Sequence, residues 1–192
     1  MRADELIARL RATGALLEGH FILTSGLHSP RYIQCARLLQ YPDHAAWVGR
    51  ALGELVRPWG PCDLVVGPAL GGILVAHELG RALGVRALFV EREGDLFVLR
   101  RGFSIAAGER AVVAEDVVTT GRSSLETAEV ATRHGAEVVA AVCIVDRRGP
   151  EAALPFPLVS LARMTIETYP PEACPLCRQG IPASKPGSRP RP

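Results

Sequence analysis

Short apolar segments alternate with amphipathic segments along most of the chain. The apolar segments are rich in Val, Leu and Ala and lack polar alternation; they cover 63–66, 87–90, 111–114, 138–145 and 158–161. The amphipathic segments carry apolar residues at helical spacing; they cover 3–13, 43–57, 72–83 and 122–134. Strands without alternation are buried on both faces, so the pattern predicts an α/β fold with a parallel central sheet flanked by helices.

Glycine, aspartate and proline positions mark the predicted helix ends. Gly14, Gly84 and Gly135 each follow an amphipathic segment, where glycine commonly ends a helix. Asp43 is the predicted N-cap of the second helix, which we expect to end before Pro58.

Two stretches depart from this alternation. Within 91–110, the segment 96–99 is predicted to form one strand of a β-hairpin flap with flexible ends at Gly94 and Gly102. From Pro170 onward the chain is too rich in proline for helices or central strands. We expect the first part of this tail to pack as a loop and the last residues to be mobile.

Composition changes this picture little. Of 192 residues, 48% are hydrophobic and 22% charged, and the net charge of +2 does not predict a nucleic-acid surface. The first residues lack the pattern of a signal peptide, and no apolar stretch approaches the roughly 20 residues that span a bilayer. We therefore expect a cytoplasmic protein with no membrane contact, in which Cys35, Cys62 and Cys143 are buried small side chains.

The strongest chemical signal follows the third apolar segment. Glu115 and Asp116 come directly after 111–114, and a Thr- and Gly-containing turn then opens the helix predicted over 122–134. Ligands of open α/β sheets bind at the carboxyl ends of strands, and the free N–H groups of a helix start form an anion nest. The two acids suit hydroxyl groups or a divalent metal. The segment therefore predicts a sugar-phosphate site, and an acidic pair that caps the helix is the alternative.

A glycine-rich loop follows the first apolar segment. Gly67, Gly71 and Gly72 let backbone amides approach an anion closely. Alone, this segment fits a simple strand-to-helix turn. Together with the loop after Asp116, it predicts a site for two anionic groups.

The run from Glu115 to Ser123 resembles the signature of type I phosphoribosyltransferases, which bind phosphoribosyl diphosphate (PRPP) with Mg²⁺. The resemblance implies that Glu115 and Asp116 meet the ribose hydroxyls, that the 67–72 loop with Gly71 binds diphosphate, and that PRPP oxygens are the main ligands of the Mg²⁺. The implied binding residues of the 5′-phosphate loop are Val117, Val118, Thr119, Thr120, Gly121, Arg122 and Ser123.

The segment 17–32 resembles the hood of orotate phosphoribosyltransferases, and Asp146-Arg147 is similar to the same family. The resemblance covers about 17–149 and implies one domain, 1–192. Its core would span about 41–165, its flap about 91–110, and its hood about 1–40 plus the C-terminal tail. A homodimer is implied, with the flap reaching the partner's site. Orotate carries a carboxylate; its implied or candidate contacts are Phe21, Arg31, Thr119 and Arg147.

Two departures from the family concern its lysines. Thr24 and Gly71 stand where many members have lysine, and Lys185 is the only lysine of this chain. Arg92 is the best stand-in for the catalytic lysine of the flap, with Arg100 and Arg101 as reserves. Arginine is a poor proton donor, so we expect the flap to stabilise leaving-group charge and exclude water.

The resemblance implies transfer of the 5-phosphoribosyl group from PRPP to orotate in pyrimidine biosynthesis, giving orotidine 5′-phosphate and diphosphate. The alternatives are a purine or uracil phosphoribosyltransferase and a PRPP-sensing regulator. Cys174-Pro-Leu-Cys177 has half of the ligand spacing of a zinc site, which two subunits could complete. A disulfide and a thiol pair packed in a turn are the other readings of these cysteines.

Overall fold

The computed structural model describes residues 2–23, 25–149 and 151–186. Thr24 and residues 187–192, which include part of the tail expected to be mobile, lie outside the described residues. Along the chain the elements are α1 (Arg2–Ala12), β1 (Leu16–Ile22), β2 (His28–Ile33), α2 (Ala36–Leu39), α3 (Pro42–Val56), β3 (Leu64–Pro68), α4 (Gly71–Leu83), β4 (Arg86–Glu93), β5 (Leu96–Leu99), β6 (Arg110–Val118), α5 (Arg122–Arg133), β7 (Glu137–Asp146), β8 (Leu158–Arg163) and α6 (Pro175–Arg178).

The central sheet has six strands in the order β5-β4-β3-β6-β7-β8. All neighbouring pairs are parallel except β4 and β5, which are antiparallel. The prediction of an α/β fold with a parallel central sheet is confirmed. Every predicted apolar segment lies in a strand apart from Asp63, which directly precedes β3. The segment 96–99 is β5, which forms a hairpin with β4 at one edge of this sheet.

Apolar layers cover both faces of the sheet, which explains why its strands do not alternate in sequence. Leu64 and Val66 of β3 point to one face, where Val130 of α5 packs. Val65 points to the other face, into a core that includes Val48 of α3. Successive strand residues face opposite sides, so both sets must be apolar when helices cover both faces.

The helix ends agree with the sequence pattern except at α3. Gly84 ends α4 in the left-handed conformation that glycine adopts readily. The N-cap of α3 is Tyr41 and Pro42 is its first residue, so the assignment of Asp43 as N-cap is wrong. Pro42 is suited to the first helical position because that position needs no N–H donor, and the Asp43 carboxylate lies in the first turn, where the helix dipole favours negative charge.

A separate two-stranded sheet, β1 and β2, lies outside the central sheet, and the C-terminal tail pairs with both of its edges. The His28 and Tyr169 backbones exchange two hydrogen bonds of 2.8 Å. On the other edge, the Ser184 N–H donates to the His20 carbonyl and the Ser184 carbonyl accepts from the Ile22 N–H, both at 2.8 Å. From here on, the hood means β1, β2 and the tail from Tyr169 to Pro186, a narrower set than the 1–40 and tail segments expected from the sequence. Within the described ranges, no helix has the length and apolar character needed to cross a membrane.

Candidate active site

Three adjacent parallel strands bring the predicted functional segments to one edge of the sheet. The 67–72 loop follows β3, the 119–124 loop follows β6, and Arg147 follows β7. Val118 and Asp146 are paired in register, so the last two of these strands end side by side. The carboxyl ends of parallel strands are the usual ligand site of such sheets.

Glu115, near the end of β6, is joined to the helix that follows the loop. The Ser124 hydroxyl in the first turn of α5 donates a hydrogen bond to the Glu115 carboxylate. Burial raises the pKa of Glu115 to about 7, although the Ser124 bond favours the charged form. This carboxyl group therefore exchanges a proton near neutral pH, which is typical of functional sites.

Asp116 is the second acid of the strand end and contacts the loop after β3. Burial raises its pKa, and the Val117 N–H, which donates to its Oδ1 at 2.9 Å, opposes that shift. A Cβ built on Gly71 would lie 2.6 Å from the same Oδ1. Any side chain at position 71 would displace this carboxylate, so the contact with Asp116 requires glycine there.

The loop after β3 packs its backbone against β6. A Cβ on Gly67 would lie 2.5 Å from the Gly72 carbonyl oxygen, and one on Gly72 would lie 2.7 Å from the Ala114 carbonyl oxygen. The Ala69–Leu70 peptide bond is cis, and the Leu70 side chain is 82% exposed. Glycine is required at 67 and 72 because only bare backbone fits this approach.

The loop after β6 turns sharply into α5. Gly121 has a φ of 79°, and the Arg122 N–H at the start of α5 is 3.3 Å from Thr120 Oγ1, its acceptor. Thr119 and Thr120 are exposed. The N–H groups of the first helical turn point toward this loop, and such a turn binds phosphate.

Arg147 comes directly after β7 and lies next to the hood. Its backbone N–H donates to the Val118 carbonyl at 2.8 Å, which fixes its position beside the 119–124 loop. Its Nε is buried and has no hydrogen-bond partner among the described residues. Burial lowers the pKa of the Arg147 guanidinium, and the Tyr32 hydroxyl interacts with it electrostatically. Burial also raises the pKa of Tyr32, and the Asp116 charge adds to this shift.

The neighbouring Arg148 is held by an ion pair instead. Its guanidinium contacts the buried Asp146 carboxylate at 3.0 and 3.1 Å. Its side chain is 16% exposed and that of Asp146 7% exposed, so this pair is an internal part of the fold. The two consecutive arginines therefore differ: Arg148 has an anionic partner, and Arg147, next to the site, has none among the residues that the structure describes.

The two other predicted orotate contacts lie on the hood hairpin. The Phe21 ring is buried and its centroid is 6.0 Å from that of Tyr32. Arg31 is exposed, with its Nε 3.8 Å from the Glu18 carboxylate across the hairpin. Adjacent strand residues face opposite sides, so Arg31 points away from the side of Tyr32. The roles of Phe21 and Arg31 toward orotate stay predictions.

The flap arginines are all paired with acids. Arg92 contacts Glu126 of α5 at 2.6 Å and lies over the Phe97 ring at 4.0 Å. Glu126 also accepts from Arg122 at 2.7 Å, so it links the flap to the start of α5, next to the 119–124 loop. Arg100 and Arg101 pair with flap acids, Arg101 with Glu91 at 2.8 Å. A catalytic role for any of them stays a prediction.

Two members of the site were not assigned from the sequence. The sequence pattern predicts Ser124 only as part of the anion nest, whereas in the structure its hydroxyl bonds to Glu115. The pattern predicts Tyr32 as part of the hood segment and not as a contact residue, whereas the structure brings it near Asp116 and Arg147. A single aromatic residue in a short strand carries no sequence signal that separates packing from binding.

Comparisons with known proteins agree with this geometry. The phosphoribosyl transferase domain family matches residues 35–161. The orotate phosphoribosyltransferase of Heliobacterium modesticaldum is 51% identical over 190 residues, covering 98% of this chain and 100% of the relative. That of Thermotoga petrophila is 50% identical over 180 residues, covering 94% and 96%. Among solved structures, the orotate phosphoribosyltransferase of Mycobacterium tuberculosis is similar, with a TM-score of 0.71, 26% identity and coverage of 85% and 97%.

Proposed function

The chain belongs to the phosphoribosyltransferase family, and on that premise we propose that it is an orotate phosphoribosyltransferase. It transfers the 5-phosphoribosyl group of PRPP to orotate and releases orotidine 5′-phosphate and diphosphate. This reaction belongs to pyrimidine biosynthesis. The matches with the orotate-specific relatives extend over nearly the full chain, including the hood, which supports orotate over a purine or uracil.

The observation that carries the choice of acceptor is the environment of Arg147. Arg147 is half-buried, and its buried Nε has no hydrogen-bond partner among the described residues. Such a group is costly, and a carboxylate offers the guanidinium charge-assisted hydrogen bonds. Arg147 lies between the 5′-phosphate loop and Tyr32, at the site where the base would meet the ribose. Orotate carries a carboxylate and neutral purines do not. The base therefore binds with its carboxylate toward Arg147 and its ring toward Tyr32.

The acids at the end of β6 position the ribose. Asp116 and Glu115 accept hydrogen bonds from its two ring hydroxyls, while the 119–124 loop holds the 5′-phosphate and the 67–72 loop holds the diphosphate. The bond from C1′ to the diphosphate breaks, the ribose becomes oxocarbenium-like, and the ring nitrogen of orotate attacks from the opposite face. The proton of that nitrogen passes to the departing diphosphate. Negative charge on Asp116 stabilises the positive ribose. No covalent bond to the protein forms.

The residues at this site fit a divalent cation bound together with PRPP. Glu115 and Asp116 are half-buried, and neither is paired with a basic side chain in the hydrogen bonds and ion pairs of the described residues. Mg²⁺ prefers oxygen ligands and keeps several waters. Glu115 and Asp116 would hold such an ion together with substrate oxygens, and it would supply positive charge opposite the departing diphosphate.

We also assign the flap and the assembly within this proposal. Arg92 contacts the departing diphosphate once its pairing with Glu126 is exchanged for the anion, with Arg100 and Arg101 as reserves. The enzyme acts as a cytoplasmic homodimer in which the flap reaches the partner's site. An arginine flap supplies charge and not a proton, because guanidinium does not give up its proton. The flap also excludes water from the site.

A direct assay separates this proposal from its alternatives. Purified protein, PRPP and Mg²⁺ are mixed with orotate, uracil, hypoxanthine or adenine, and diphosphate release is followed. We expect release with orotate alone. Release with a purine or uracil and not with orotate would overturn the acceptor assignment. PRPP binding measured by calorimetry, without release for any base, would instead indicate a PRPP-sensing regulator.

A further inference from the structure

Four potential metal ligands meet inside the hood, at a place separate from the acids of β6. His20 of β1 and His28 of β2 face Cys174 and Cys177 of the tail, and their ligand atoms all lie within 4.8 Å of one another. His20 Nε2 is 2.7 Å from His28 Nδ1, 3.5 Å from Cys174 Sγ and 3.8 Å from Cys177 Sγ. Cys177 Sγ is 3.3 Å from His28 Nδ1.

These distances are close to those of a tetrahedral zinc centre. With Zn–N of about 2.0–2.1 Å and Zn–S of about 2.3 Å, the ligand atoms of such a centre are roughly 3.3 to 3.8 Å apart. The three nitrogen–sulfur distances given above lie in this range. The two imidazole nitrogens would separate by about half an ångström to admit the ion. Two His and two Cys are also a common ligand set of structural zinc sites.

The hydrogen bond on the far side of the His20 ring leaves the inner nitrogen free to bind a metal. His20 Nδ1 is 2.7 Å from the Ile181 carbonyl oxygen, which can only accept, so Nδ1 carries the proton and donates it. Nε2 is then unprotonated and presents its lone pair to the cluster. Histidine ligands of metals are typically oriented by such a bond to a carbonyl group.

The tail has little else to hold it in place. From Pro171 to Pro186, Cys174 is the one residue that is buried, and the elements there are a single 3-10 turn and the four-residue α6. The stretch crosses from the β2 edge, at Tyr169, to the β1 edge, at Ser184. Segments too small to form an apolar core commonly depend on a metal or a disulfide. All described cysteines are free thiols, so no disulfide serves this purpose here.

We propose that His20, His28, Cys174 and Cys177 form a Cys₂His₂ zinc site within one chain, which fastens the C-terminal tail to the β1–β2 hairpin. The ion is structural and fully coordinated by protein, with no open position for a substrate. The two cysteines supply half of the ligands, as their spacing indicates. The other half comes from the hairpin of the same chain and not from a second subunit.

The site has a consequence for base binding, which rests on the proposed function. His20 precedes Phe21, and His28 lies on the same strand as Tyr32, which is near Arg147. Loss of the ion would loosen the strands that place these two rings. We expect loss of the ion to raise the KM for orotate more than the KM for PRPP. Metal content is measured without any assay of turnover, so it tests the zinc site independently of the proposed function.

The first test is metal analysis of the full-length protein, with any histidine tag removed and no chelator used. We expect about one zinc per chain by mass spectrometry and visible bands of tetrahedral cobalt with thiolate charge transfer after growth in Co²⁺. The Cys174→Ser/Cys177→Ser variant and His28→Gln should each lose the metal. Cys62→Ser and His77→Gln, outside the cluster, should keep it.

A second measurement uses the unaltered protein, so that poor folding of a variant does not decide the result. Chelator treatment should make the tail sensitive to protease while the central domain stays intact, and added Zn²⁺ should restore protection. Zinc far below one equivalent, or equal zinc in wild type and the double cysteine variant, would overturn the proposal. So would thiol titration that finds Cys174 and Cys177 joined in a disulfide in the purified protein.

Discussion

A methyl group on Gly71 would lie 2.6 Å from Oδ1 of Asp116, so the loop after β3 and the acid at the end of β6 are in direct contact. The loop expected to bind diphosphate and the acid expected to bind ribose therefore have one fixed relative position. Binding PRPP in a reactive geometry requires both at once, and small misplacements of reacting groups are costly.

Gly71→Ala should lower kcat/KM for PRPP by at least about tenfold, because the methyl group displaces the Asp116 carboxylate. Steady-state kinetics with saturating orotate measure this effect. Gly53→Ala is the matched control, since a Cβ there would meet Leu83 Cδ2 at an ordinary 3.5 Å. If both variants have the kcat/KM of the wild type, the contact between Gly71 and Asp116 does not contribute to the reaction.

Asp116→Asn should reduce kcat by at least about 100-fold, because a neutral amide no longer stabilises positive charge on the ribose. The fold should survive, since the amide has the same shape and burial already disfavours the charged form of Asp116. Diphosphate release and thermal unfolding measure the two effects. Asp43→Asn, exposed in the first turn of α3, is the control; an unchanged rate for Asp116→Asn would exclude this acid from the site.

Glu115 should make the protein less stable as the pH rises. Its pKa is about 7 in the folded protein against an ordinary value of 4.5, so the folded state binds the proton more tightly than the unfolded state. The stabilisation is complete below about pH 4.5 and is lost as the pH passes about 7.

Glu115→Gln removes this effect, so the stability of the variant relative to wild type should rise by up to about 3 kcal/mol between about pH 5 and about pH 8. Denaturant unfolding at both pH values measures the difference. Glu129→Gln, exposed on α5, controls for loss of a carboxylate. A difference independent of pH would contradict the assigned proton.

Arg147→Met should raise the KM for orotate by about 10- to 100-fold, because a hydrogen-bonded charge pair with the carboxylate is lost. The KM for PRPP should change little, and the free energy of unfolding should not fall, since Arg147 Nε has no partner among the described residues.

Arg148→Met is the contrasting variant, because it leaves the buried Asp146 carboxylate unpaired. We expect it to lower the free energy of unfolding by about 3 kcal/mol. If the orotate KM rises for Arg148→Met and not for Arg147→Met, the two roles are reversed.

Arg92→Ala should reduce kcat by about 10- to 100-fold, because the departing diphosphate loses a cationic contact. Arg92→Lys should retain part of the rate, since it keeps the charge. Arg101→Ala serves as the comparison, because it removes the same charge from the flap at a residue that pairs with Glu91 and not with Glu126 of α5. A larger loss of kcat for Arg101→Ala than for Arg92→Ala would assign the catalytic contact to Arg101 and not to Arg92.

The sequence by itself determined the parallel sheet and the two anion loops. Both signals are local: unalternating apolar segments require cover on both faces, and the acids and glycines of each loop are contiguous in the chain. The sequence alone therefore places the segment from Glu115 to Ser123 at a strand end. The single N-cap assigned wrongly, Asp43, concerned a choice between neighbouring residues at a helix start.

Only the tertiary structure distinguished Arg147 from Arg148. Arg148 pairs with Asp146, whereas the Nε of Arg147 is buried without a partner among the described residues. It alone also joined His20 and His28 to cysteines about 150 residues later in the chain. Contacts between distant segments depend on how the hairpin and tail pack, and residue spacing does not encode that packing. The position of the two loops at the sheet edge was thus predictable, and the partners of the arginines and of the tail cysteines were not.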